Sequence, residues 1–267
     1  MSRAWDHATG LLRANSRVVS VMAGVFFFLP VSMLILLLPD LSQNPAFAGD
    51  SQDPAAMAGM INAVLGEIWW AIVLATVMQI IGMLALYRLL SDRARPTVRE
   101  ALAFGAKALL PFVGASLLLQ VIQILLTSVL GGLAAGTALA GPLSLVGLAL
   151  TIWLTVRFLP TGPVVAIERC FNPFKVLRRA WQLTAGNAAR LFAFFVLLIA
   201  AFVVLWIVAA LVFTLVFGLM GPEASRFGFA LVTGAAMAAY FAIYVGVQVA
   251  IHRQLAGEDR NEAARVF

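Results

Sequence analysis

Six apolar runs, each about as long as a bilayer is thick, constrain this chain more than any other feature. They cover approximately residues 18–38, 68–87, 108–130, 142–167, 191–219 and 227–251. A helix crossing the ~30 Å hydrocarbon core needs about 20 apolar residues, and within lipid only helices and closed barrels satisfy every backbone polar group. The expected fold is all-α: a polytopic integral membrane protein of six transmembrane helices, forming a single membrane domain over residues 1–267. Charge agrees. Only 11% of the residues are charged, against roughly 25% in a soluble domain, too few to coat a water-facing surface.

Sidedness follows from the cations. Seventeen of the eighteen Lys and Arg lie in the two termini and in the second and fourth connections, with Arg157 counted in the fourth; Arg226 is the exception. The positive-inside rule then puts both termini in the cytoplasm. The longest outside loop, 40–67, holds Asp40, Asp50, Asp53 and Glu67 and no cation. Ala46-Phe47-Ala48 resembles a signal-peptidase site, but the 21-residue run before it exceeds the usual signal core of roughly 7–15, so the first run is expected to stay as a span. The net charge of +6 does not argue for nucleic acid, because the cations flank apolar runs instead of forming a patch of their own. Cys170 is the one cysteine, and His7 and His252 lie at opposite ends, so neither a disulfide framework nor a metal motif is expected, and no cofactor.

The longest stretch without a continuous apolar run is Glu168 to Arg190. A helix begun at Asn172-Pro173 and ended at Gly186-Asn187 places Phe174, Leu177, Trp181 and Thr184 in one stripe and Lys175, Arg178, Arg179 and Gln182 opposite. Such a helix suits the headgroup layer; an ordinary cytoplasmic loop is the plainer alternative. Further short surface helices are expected near the N-terminus, around Arg3-Ala4-Trp5, and at Thr97–Phe104.

Arg157 has two readings. If the fourth span runs to Ile167, Arg157 is about 16 Å inside Glu168, near mid-bilayer, and needs a partner, water or an anionic headgroup. If Pro160 and Pro163 end the helix, the span is Leu139–Phe158 and Arg157 snorkels at the inner boundary. In both cases Arg157, Arg169, Arg178, Arg179 and Arg190 can form a basic inner rim suited to lipid phosphates, with Trp181 as an anchor and Glu168 within reach of Arg157. A polar stripe, Gln120, Gln123 and Thr127, faces candidates Gln79, Thr151, Thr155, Tyr240, Tyr244 and Gln248: a hydrated cavity, or ordinary interhelical hydrogen bonding.

Three spans end alike: Ala85-Leu-Tyr-Arg88, Ala166-Ile-Glu-Arg169 and Ala250-Ile-His-Arg253. Either the unit of surface helix plus helical hairpin is repeated three times, or the likeness is coincidence in a chain of low complexity.

The residues Val156-Arg157-Phe158, Pro163, Glu168 and then Ala180-Trp181-x-Leu183-Thr184-x-Gly186-Asn187-x-x-Arg190-Leu191-Phe192 resemble the bacterial glycerophosphoryl diester phosphodiesterase membrane-domain family and related multi-span inner-membrane proteins. Ala180 departs from the serine expected there. The resemblance implies a bacterial inner membrane. It implies no phosphodiesterase activity, because that belongs to a soluble barrel of at least ~200 residues, and no soluble stretch here approaches that.

The spans contain no Asp, no Glu and no His apart from His252 at the last boundary. Acid–base or metal-assisted hydrolysis needs such groups to converge. The expected function is therefore non-enzymatic: binding of anionic phospholipid, or of a membrane-protein partner or second copy, through the basic rim. The alternative is a transporter or channel for a lipid or small solute, with the Gln stripe and Arg157 along its path.

Overall fold

A computed structural model describes residues 2–38, 54–91, 96–135, 137 and 140–257. These residues form α1 (Ser2–Ala14), α2 (Ser16–Ala23), a π-helical turn (Gly24–Phe28), α3 (Leu29–Leu37), α4 (Pro54–Ser91), α5 (Val98–Ala134), α6 (Ala140–Arg157), α7 (Thr161–Ile167), α8 (Pro173–Thr184), α9 (Ala188–Gly218) and α10 (Pro222–Leu255). The fold is all-helical, with six stretches long and apolar enough to cross a membrane: Ser16–Leu37, Ile61–Ser91, Val98–Ala134, Ala140–Ile167, Ala188–Gly218 and Pro222–Leu255. In the most apolar of them, α9, only 6% of the spanning window is covered by the rest of the protein. Leu197, Leu205 and Leu215 point outward accordingly, as a helix facing lipid requires.

Local chemistry explains the boundaries. Thr97 caps α5 in a reciprocal box with Glu100: the Glu100 amide donates to the Thr97 hydroxyl and the Thr97 amide to the Glu100 carboxylate. Nothing then stops the helix, so the expected surface helix Thr97–Phe104 and the third span are one continuous element. Pro111 is tolerated inside it. In the first span Pro30 does not end the helix. The turn before it widens, with the Leu29 amide reaching back to the Gly24 carbonyl five residues earlier. The fourth span does break: α6 ends at Arg157 and α7 begins at Thr161, close to the shorter of the two readings of that span. Residues 40–53 of the Asp-rich loop (Ala46-Phe47-Ala48 and Asp53 among them), Arg93, Arg95 and the last ten residues lie outside the described residues, while residues 54–67 begin α4.

The chain divides into two compact units. The first takes Met1–Ser16, Met83–Ala201 and Ile243–Phe267; the second takes Arg17–Gly82 and Phe202–Ala242.

In the first unit α5 packs against α6, α7 and α8. A core of Ala8, Val156, Leu191, Phe195, Val247, Ala250 and Ile251 joins α1, α6, α9 and α10. Every residue from Thr161 to Ala166 is buried, so α7 is an internal strut.

In the second unit Phe27 is fully buried and stacks on Phe241 at 4.9 Å. The Ser32 hydroxyl donates to the Ala230 carbonyl at 3.1 Å, and the Trp206 indole to Thr233 at 3.3 Å. Arg226, the one cation beyond the termini and the second and fourth connections, donates to the Leu36 carbonyl at 2.7 Å and also to the Leu38 carbonyl. It thus closes the C-terminal end of α3, where unpaired carbonyls and the helix dipole favour a cation.

Candidate functional site

Arg157, the last residue of α6, sits between two indoles. Its guanidinium carbon is 4.1 Å from the Trp181 ring centre and 5.4 Å from that of Trp153, and the two indoles meet edge to face at 5.0 Å. Thr184, fully buried at the end of α8, donates to the Arg157 carbonyl at 3.1 Å and accepts from its Nη1 at 3.4 Å. The Nε atom is enclosed and has no hydrogen-bond partner. A groove of about 650 Å³ runs past this arginine, lined by Ile152, Trp153, Val156 and Phe192 and by the turn into α9 at Gly186, Ala188 and Ala189. Gly186 adopts φ +76°, a conformation other residues rarely enter. It delivers the N-terminus of α9, with its unpaired amides and positive dipole end, to the groove wall.

Glu168 follows the buried strut α7, and Arg169 turns the chain at φ +53°. Asn172 then caps α8, accepting from the amides of Phe174 and Lys175 at 3.0 and 3.3 Å. The side of α8 turned inward is Val176, Leu177, Ala180, Leu183 and Thr184. That corrects the expected stripe: Phe174 is 71% exposed and Trp181 is exposed, because the inward face is rotated by about one residue and Trp181 covers Arg157 instead. Across α8, Arg179 Nε donates to both Glu168 oxygens at 2.9 and 3.0 Å. His252 Nε2 donates to Glu168 Oε1 at 3.1 Å. Burial works against the Glu168 charge, but the hydrogen bonds from His252 and Arg179 outweigh it and hold the carboxyl below its ordinary value. The expected Glu168–Arg157 contact is therefore replaced: the carboxylate goes to Arg179 and His252, and the arginine to the two tryptophans. His252 is itself buried, with Nδ1 enclosed and unpartnered. Next to it Arg253 donates to the Leu90 and Ser91 carbonyls at 3.4 and 3.0 Å, closing α4, and to His7 Nε2 at 3.1 Å.

A second, smaller space of about 290 Å³ lies on another side of α6, reached by Thr155, Phe158 and Leu159. Gln120 of α5 and Gln248 of α10 both line it, with Tyr87, Ser116 and Tyr244. The Tyr87 hydroxyl donates to Gln248 Oε1 at 2.8 Å. Gln123, expected beside Gln120, instead donates to Thr155 at 3.2 Å, an interhelical bond of the ordinary kind. Gln79 belongs to the second unit and is not part of this lining.

Of the basic candidates, Arg157 and Arg179 are thus engaged at two separate places, while Arg169, Arg178 and Arg190 are exposed. Residues that sequence reasoning did not single out as site members are Tyr87, Trp153, Ser116 and His252. A signal for two of them was present: Tyr87, Glu168 and His252 each precede the arginine of one repeat-like ending.

No family model, curated protein or solved structure matches the chain.

Proposed function

We propose that this chain is a non-enzymatic, multi-pass protein of a bacterial inner membrane, with cytoplasmic termini, that binds anionic phospholipid at its basic rim. The observation that carries this reading is the groove at Arg157. It combines an apolar wall with the Arg157 guanidinium and a helix N-terminus. Those are the elements that bind a phosphodiester while sheltering the chain attached to it. Trp153 and Trp181, which hold the arginine, also suit the depth at which headgroups lie. Exposed Arg178 and Arg190 add long-range attraction to an anionic leaflet. The resemblance to the glycerophosphoryl diester phosphodiesterase membrane domain accords with this proposal for the membrane part alone. A membrane-protein partner, or a second copy of the chain, is the competing occupant of the rim, and transport of a lipid or small solute is the competing activity.

Native mass spectrometry of the detergent-purified protein with its co-purifying lipids tests the reading. The expected result is a retained anionic phospholipid that an Arg157→Ala variant loses. Absence of retained lipid, or equal retention in the variant, overturns it and directs the search to protein partners.

A further inference from the structure

The 290 Å³ space between α4, α5, α6, α7 and α10 carries an inference independent of the lipid groove. Its lining includes the hydroxyls of Tyr87, Ser116 and Tyr244 and the amides of Gln120 and Gln248, backed by Phe112, Leu119 and Phe158. Among the described residues, no Asp, Glu, Lys, Arg or His contributes to it. Gln248 is 2% exposed; its Oε1 accepts from Tyr87, while Nε2 finds no partner. A buried amide left half-satisfied is unfavourable unless something in the adjoining space completes it. Ser116 spends its proton on the Phe112 carbonyl at 2.9 Å and keeps its oxygen as an acceptor. Nε2 is enclosed in this structure, so a shift of the Gln248 side chain brings its donor from α10 beside the Ser116 acceptor from α5, in a volume that holds several waters or one small molecule.

We propose that this space is a binding site for a small uncharged polyol, whose hydroxyls both donate and accept. Hydroxyls answer the Gln248 N–H and the Ser116 oxygen together. An ion would find no countercharge in the lining, and its desolvation would go uncompensated. The groove and this site use different residues of α6 and the turn after it: Ile152, Trp153, Val156 and Arg157 line the one, and Thr155, Phe158 and Leu159 the other. Occupation of one leaves the other intact.

The test uses the full-length protein in lipid nanodiscs and saturation-transfer NMR, with erythritol as probe and tartrate, the same carbon skeleton bearing two carboxylates, as its charged counterpart. Saturable erythritol binding is expected, weakened at least fivefold in Gln248→Leu, with no saturable tartrate signal. Ser116→Ala removes one hydroxyl without leaving a polar group unpaired, so it serves if the glutamine variant does not fold, and a severalfold loss is expected there. Absence of saturable erythritol binding, equal binding in the folded variants, or equal binding of tartrate overturns the proposal. Loss of phospholipid in Arg157→Ala has no bearing on it.

Discussion

Glu168 and His252 stand 84 residues apart in the chain and are joined by a 3.1 Å hydrogen bond. Each occupies the position just before the arginine of a repeat-like span ending, Arg169 and Arg253. The third such position, Tyr87, bonds Gln248, four residues before His252 on the same helix. The likeness between the three endings is therefore accompanied by contact among them within one unit.

The Glu168 link makes stability depend on acidity. A carboxyl held below its ordinary value of 4.5 binds fewer protons folded than unfolded. Its contribution is present above that value and is lost as pH falls through the lowered one. Glu168→Gln should lower Tm at pH 7 by roughly 2–4 °C, about what 1 kcal/mol is worth in a chain of this size, and the gap to the parent protein should narrow progressively as pH falls below 4.5 through the lowered value. Thermal unfolding in detergent at the two pH values measures both. A gap that stays constant with pH would show that the glutamine acts through packing alone.

Arg157 is held by stacking as well as by charge, and lysine can supply only the second. In Arg157→Lys, phospholipid retention should fall between that of the parent and that of Arg157→Ala. Trp181→Leu removes the closer ring, at 4.1 Å, and should cost about 1–2 kcal/mol of stability. Lipid retention by native mass spectrometry and denaturant titration check the two effects; a lysine variant indistinguishable from the parent would mean the rings are bystanders.

Two glycines make opposite predictions. A Cβ on Gly234 would lie 2.0 Å from the Ser32 hydroxyl and 3.0 Å from the Phe28 carbonyl. Gly234→Ala should therefore destabilise the protein by about 1–3 kcal/mol. Gly131, inside α5, has nothing within 4 Å, so Gly131→Ala should stabilise by about 0.5–1 kcal/mol through helix preference. Paired thermal-shift measurements decide, and a neutral Gly234→Ala would contradict the close helix approach.

Arg226 closes α3 through the Leu36 and Leu38 carbonyls. Arg226→Ala should cost about 1 kcal/mol, since a charge-assisted bond at an exposed site is partly replaced by water. Hydrogen exchange should rise in the last turn of α3 and remain unchanged in α9.

Much of the fold was legible because span length and hydrophobicity leave few options. Six helices long and apolar enough to cross a membrane stand at the six apolar runs, although α4 and α5 extend well beyond those runs and α5 absorbs the expected surface helix at Thr97–Phe104. Apolar composition ends where a run ends, whereas a capped helix continues until a breaker appears. The break after Arg157 was one of two open readings, since two prolines can kink a span or end it. The partners of Arg157 and Glu168 were not legible. A single sequence indicates that both groups need company, but choosing between Trp181, Arg179 and His252 takes the rotation of α8 and the approach of α10, and neither is written in periodicity. The cavity was half visible: Gln120 and Gln248 were expected to face one another, while Tyr87 stood only in a repeat-like span ending.

The core of the first unit has a consequence for biosynthesis. Ala8 of α1 is 1% exposed and packs with Val247, Ala250 and Ile251 of α10, and Leu12 lies 3.0 Å from where a Cβ on Gly246 would be. Part of the packing around α1 thus comes from α10, the rest from α6 and α9. Until α10 is made, α1 lacks that part of its packing, and Glu168 holds only Arg179 until His252 arrives. A nascent chain stalled before α10 would carry both defects at once, giving membrane quality control a simple mark of an unfinished product.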